Sequence, residues 1–342
     1  MIILASIVCF AAALAASGFL YQWIGARKDR RRYAGAGRWV DVGRGCKLYL
    51  LEGGSGGPTV LFEAGIAATN LNWRHIQQIV SGFAHTASYD RSGLGWSSRQ
   101  LTARTPGNIA IELRTMLENA GIKPPYILVG HSFGGLVMRR YAAMFPEAVS
   151  GVVLIDPMRL DEWPPLNPEK QAVLDRGIRL SGYAISIARF GLARLAVTSL
   201  LCRSGRLSEF LAGTVGNGGK HVLGRMKSEV GKMPREVWPI VAAHWSRPDY
   251  YAGMASHVEA VPDTVREMLD AAPISGIPVL LLTPGTCVPL CEEGLRCIGD
   301  NVQQVIATES AHWIHLDEPD LVIDSIRNMV KTATHEPIAV IA

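Results

Sequence analysis

Apolar and polar positions fall in blocks along this chain. After an apolar stretch at residues 2–24, short apolar runs recur at 59–63, 84–89, 126–129, 151–155, 278–282 and 302–307. Runs this short, apolar throughout and bounded by glycine, proline or polar residues, predict strands buried on both faces. Between most of them the apolar residues return every three or four positions, which predicts helices at 73–83, 106–120, 136–145 and 319–331, the third stopped by Pro146. Residues 38–42 and 46–50, separated by Gly43-Arg44-Gly45, predict a hairpin. Strands that alternate with helices predict an α/β class fold, a mostly parallel sheet flanked by helices on both faces.

The alternation lapses between 157 and 272, where helical patterns occur without a buried strand. The expected organisation is therefore a membrane anchor at 1–26, a basic linker at 27–37, an α/β core at 38–156, an inserted helical cap at 157–272, the rest of the core at 273–332 and a tail at 333–342. With 48% hydrophobic and 19% charged residues, the chain can bury a large core, which excludes a disordered protein. The net charge of +4 is concentrated in Arg27, Lys28, Arg30, Arg31 and Arg32. A local patch of that kind does not make a nucleic-acid-binding face.

Residues 2–24 carry no charge, and their length suits an N-terminal transmembrane helix across the roughly 30 Å hydrocarbon core. Tyr21 and Trp23 stand where an interfacial belt is expected, and the basic cluster follows, which predicts a single-pass membrane anchor with the body on the cytoplasmic side. The small residues at 11–17 leave cleavage as a signal peptide open. Cys287, Cys291 and Cys297 share one loop and are expected to hold at most one disulfide, three metal ligands without a fourth being the lesser alternative. A disulfide there would favour an oxidising compartment, against the charge rule. No metal or organic cofactor is implied.

Gly130-His131-Ser132-Phe133-Gly134 lies between the run at 126–129 and the helix at 136–145. A serine flanked by glycines on a strand-to-helix turn has its hydroxyl exposed at the sheet edge, where it can act as a nucleophile. Serine is a weak nucleophile near neutral pH and needs a base, a role that histidine fills.

Four segments, in order, carry a family resemblance: Glu63-Ala64-Gly65-Ile66 after a strand, the loop from Asp90 to Ser97, the Ser132 turn, and Ser310-Ala311-His312-Trp313-Ile314-His315 leading to Pro319. Over residues 38–332 the chain resembles the α/β-hydrolase superfamily, in the branch with a helical lid. The resemblance implies His312 as general base, with His315 packing against or capping the following helix. It implies the backbone N–H groups of Ile66 and Phe133 as the oxyanion hole. The acid that relatives carry after the penultimate strand is missing from Leu282 to Val288, so Asp156, which ends an earlier strand, is the expected third member, with Glu292, Glu293 and Asp300 as alternatives. Glu63 is left without a role.

A serine at the turn excludes the aspartate chemistry of epoxide hydrolases and haloalkane dehalogenases. The expected reaction is hydrolysis of a carboxylic ester, thioester or amide through an acyl-enzyme, on a small, apolar ester-type substrate. A non-catalytic binding protein or a serine-dependent lyase on the same fold are the alternatives. Residues 177–201 are apolar but interrupted by Arg179, Arg189 and Arg194. They are expected to form a lid helix packed over the cleft, ahead of a basic amphipathic helix resting on lipid headgroups.

Overall fold

A computed structural model describes residues 1–160, 168–202, 224 and 229–335. The parts of the expected cap at 161–167, 203–223 and 225–228, and the tail at 336–342, lie outside the described residues. Among the described residues, eight strands form one sheet: β1 (Arg38–Asp41), β2 (Lys47–Gly53), β3 (Thr59–Glu63), β4 (Thr86–Asp90), β5 (Tyr126–His131), β6 (Val149–Ile155), β7 (Val279–Pro284) and β8 (Val302–Ala307). Their order is β1-β2-β4-β3-β5-β6-β7-β8. The β1–β2 and β2–β4 pairs are antiparallel, and every other pair is parallel.

The first helices in the chain are α1 (Ile2–Tyr33), α2 (Arg74–Val80), α3 (Pro106–Ala120) and α4 (Phe133–Met144). Among the described residues, those between β6 and β7 are α5 (Pro168–Arg189), α6 (Leu192–Cys202), α7 (Trp238–Trp245), α8 (Pro248–Glu259) and α9 (Val261–Leu269). The last three are α10 (Glu292–Arg296), α11 (Ile314–Asp317) and α12 (Pro319–His335). Every residue of β3 and β5 is buried, as strands covered on both faces require. One core joins the sheet to α3 and α4 through Leu113, Met116, Met138 and Tyr141. The other joins it to α2 and α12 through Ile76, Val80, Val322 and Ile326.

Parallel register aligns the strand ends that matter. Glu63 lies opposite Gly130, His131 opposite Ile155, and Ile155 opposite Leu282, so the loops that follow β3, β5, β6 and β7 leave from one sheet edge. Ligand sites of open parallel sheets form at that edge. α1 is long and apolar enough to cross a membrane. The buried positions of α5 are Leu174, Ser181 and Ala188, while Leu180, Tyr183 and Ile187 are exposed. On α5 these apolar side chains face outward, whereas Val197 and Leu201 of α6 pack inward with Leu71 and Leu94.

Candidate active site

The turn after β5 is tight because the sequence puts small residues where backbone meets backbone. A Cβ on Gly134 would lie 2.5 Å from the carbonyl oxygens of Ala64 and Glu63, so α4 can start against the end of β3 only with glycine there. Ser132 takes φ 54° and ψ −121°. That left-handed backbone costs a non-glycine residue on the order of 1–3 kcal/mol and is held by its surroundings. Ser132 N–H donates to Ile155 O at 3.0 Å, and Ser132 O accepts from the N–H groups of Gly135 and Met158. The turn is thus stitched to the end of β6 and to the start of α4.

Asp156, directly after β6, also has positive φ, 39°. Its N–H donates to Leu282 O at 2.9 Å, which fixes it against β7. Its Oδ2 lies 2.7 Å from Nδ1 of His312, a pair 156 residues apart in sequence. His312 comes from the loop between β8 and α11, and its carbonyl oxygen accepts from Nε2 of His131 at 2.8 Å. The structure therefore brings Asp156 and His312 together at the sheet edge that carries Ser132. Among the described residues no hydrogen bond joins the Ser132 hydroxyl to His312. The other acids are engaged elsewhere: Asp300 accepts from Ser275 Oγ and Gly276 N–H, Glu292 pairs with Arg296, and Glu293 is exposed. Cys287, Cys291 and Cys297 are free thiols.

Phe133 begins α4, so its N–H is one of the first-turn donors that have no partner within the helix. Neither that N–H nor the N–H of Ile66 enters a backbone hydrogen bond outside the helices, among the described residues. The two residues pack together with Ile109 and Val137. Ile66 thus lies beside the start of α4, the helix that follows Ser132.

The loop that carries Ile66 is pinned by groups the sequence did not reveal. Arg91 is 1% exposed. Its Nη1 donates to Glu63 Oε1 and to Ala64 O, its Nη2 to Gly65 O, and its Nε to His257 Nε2 at 3.1 Å. Tyr89 OH donates to the second Glu63 oxygen, Oε2. Burial pushes the Glu63 carboxyl up, an effect opposed by Arg91 and by the bond from Tyr89. Tyr250 OH donates to Ala67 O at 2.9 Å, and Asp90 Oδ1 accepts from Asn70 N–H at 3.0 Å. Glu63 thus acquires its role as the counter-ion of the arginine that holds the loop. The only local signal was an acid closing an apolar run, and the contribution of His257 had none.

His315 does not cap the helix that follows. It is 2% exposed and packs between Trp73 and His131, with tilted rings whose centroids lie 4.7 and 4.4 Å from its own. Four imidazoles are held neutral by burial: His131 and His257 well below the ordinary histidine range, His244 and His315 down to about 3. Neighbouring positive charge adds to the effect at His257, whose Nε2 accepts from Arg91 and so cannot also carry a proton. A depressed histidine stabilises the fold above its unfolded pKa near 6.5, and that contribution is lost as pH falls. Asp90, raised to about 6 by burial, opposes this weakly over the same interval. Stability should therefore drop by about 2 kcal/mol between pH 7 and pH 6, each ring contributing somewhat under 1 kcal/mol. Chemical denaturation midpoints at the two pH values measure it, and equal midpoints would contradict it.

A serine on a strained strand-to-helix turn, an aspartate–histidine pair at the same sheet edge and helices on both sheet faces define an α/β-hydrolase-fold protein. Comparison with known proteins agrees: the α/β hydrolase fold family matches residues 58–177, about a third of this chain, and the likeness supports the α/β-hydrolase superfamily. It is 34% identical over 120 residues to YqjL of Bacillus subtilis, covering 32% of this chain and 47% of that protein. It is also 34% identical over 97 residues to an AB hydrolase superfamily protein of Gibberella zeae, covering 28% and 30%. The chain thus spans less than half of the length of these curated relatives. Among solved structures, the Cif epoxide hydrolase from Acinetobacter nosocomialis superimposes with a TM-score of 0.64 at 16% identity, over 91% of this chain and 96% of that one. An alpha/beta hydrolase from Nostoc, ALR0039, gives 0.63 at 18% identity over 88% and 98%. At such identities the likeness concerns the fold.

Proposed function

We propose that this chain is a serine hydrolase that cleaves a carboxylic ester, thioester or amide through an acyl-enzyme on Ser132, and that α1 anchors it in a membrane as a single pass. The observation that carries the catalytic reading is the 2.7 Å contact between His312 Nδ1 and Asp156 Oδ2. A carboxylate there holds Nδ1 in its protonated form and turns Nε2 outward as the acceptor. The serine–imidazole bond that the reading requires is of a kind that commonly tightens only when substrate is bound.

In this mechanism His312 Nε2 takes the Ser132 hydroxyl proton as Oγ bonds to the substrate carbonyl carbon. The resulting oxyanion accepts from the N–H groups of Phe133 and Ile66, each donor being worth roughly 3–4 kcal/mol in the transition state. His312 returns the proton to the leaving group as the carbon–heteroatom bond breaks. Water, deprotonated by the same imidazole, then releases the acid and restores Ser132. The positive end of α4 faces the developing charge and favours it. A serine at the turn does not form the alkyl-enzyme that an aspartate would in an epoxide hydrolase, so a shared fold with the Cif enzyme does not transfer its substrate.

An activity-based fluorophosphonate probe tests the reading. It should modify Ser132, as located by peptide mass spectrometry, and the Ser132→Ala variant should stay unlabelled while hydrolysing no short p-nitrophenyl ester. Modification of another residue, or none at all, would refute it.

A further inference from the structure

The exposed stripe of α5 continues into an exposed apolar corner. α5 and α6 meet at 94°. Leu180, Tyr183, Ile187, Phe190, Leu192 and Leu195, on and around that corner, are each between 45% and 67% exposed. Scattered exposed leucines are ordinary, but six in one bent helix pair form a patch that needs a partner.

The placement of α1 names the partner. Residues 2–14 of this helix are exposed throughout. At 1.5 Å per residue that free portion is about 20 Å long, short of the roughly 30 Å hydrocarbon core. To cross, α1 must be immersed for about twenty residues, down to Tyr21. At that depth it already touches the corner. A Cβ on Gly18 would lie 2.5 Å from the Phe190 carbonyl oxygen, and one on Gly191 would lie 2.7 Å from the Tyr21 ring.

Polar contacts fix the two parts just beyond. Gln22, 5% exposed, accepts from Arg194 Nε at 2.9 Å and donates to Ser246 O at 2.9 Å, and Arg194 also pairs with Asp29. The immersed length of α1 therefore carries the corner with it. Arg189 lies on the side of α5 away from the stripe by helical spacing, so its long stem can reach the headgroups.

We propose that the α5–α6 corner is a membrane-docking surface, its apolar side chains entering the acyl region of the leaflet beside α1. The cap then rests partly in lipid, and an apolar substrate dissolved there reaches the protein without crossing bulk water. This rests on the reading of α1 as a span.

The test uses the full chain reconstituted in liposomes, with native cysteines replaced by serine and a nitrobenzoxadiazole label at one new cysteine. The positions are Phe190→Cys in the corner, Ala12→Cys in α1 and Leu101→Cys, which is 93% exposed on the core. Lipids with a nitroxide on the acyl chain should quench the labels at positions 190 and 12 at least about twofold more than the label at 101. Quenching at 12 with a label at 190 that behaves like 101 would overturn the docking and leave the span standing. Absence of quenching at 12 would remove the span and the docking together. Burial of the label at 190 that grows with protein-to-lipid ratio, without nitroxide quenching, would give the corner to a second copy of this chain and overturn the proposal as well.

Discussion

Asp156→Asn is expected to lower kcat about ten-thousand-fold on an ester substrate, with KM and thermal stability little changed. Asparagine has nearly the same shape and tolerates the positive φ of 39° that Asp156 adopts. An alanine at the same position would mix backbone strain into the result. The amide presents N–H to the imidazole, or accepts from it without charge, so the tautomer that leaves Nε2 free and the charged imidazolium both lose support. The measurement is steady-state turnover of a p-nitrophenyl ester alongside a thermal melt. A variant within tenfold of the parent would remove Asp156 from the chemistry and send the search back to the loop of Cys287 to Asp300.

Arg91→Met is expected to cost about 3–5 kcal/mol of stability. Methionine fills most of the same volume, but Glu63, itself 1% exposed, loses its cation, and the carbonyls of Ala64 and Gly65 lose their donors. The double variant Arg91→Met with Glu63→Gln should recover part of the loss, because it removes the stranded charge together with its partner. Activity should remain low in both, since the carbonyls that precede Ile66 are still unheld. Denaturation midpoints of the single and double variants, with kcat measured below them, give both quantities. A single variant as stable as the parent would mean that the loop is held by its other contacts, from Tyr250 and Asp90.

Both predictions depend on residues of different legibility. The sheet was readable because its strands are continuous apolar runs, and the glycines around Ser132 marked the turn. Asp156 and His312 stood at the ends of predicted strands, so topology alone could carry them to one edge. Arg91 was visible as part of a loop pattern, yet its task is set by Glu63, Gly65 and His257, which lie 26 to 166 residues away. No local periodicity encodes such a convergence. The apolar stripe of α5 was legible as a stripe, but which way it faces was not, since helical spacing defines a face and leaves open what the face meets. Turning it outward required the packing of Leu174, Ser181 and Ala188.

The bond from His131 to the carbonyl of His312 links two stretches 181 residues apart. One of its ends sits immediately before the proposed nucleophile and the other belongs to the backbone of the proposed base. A drift of either loop drags its counterpart along, so the two groups that the proposed mechanism pairs move together. The tie is made by a ring that the proposed mechanism leaves without a proton to carry.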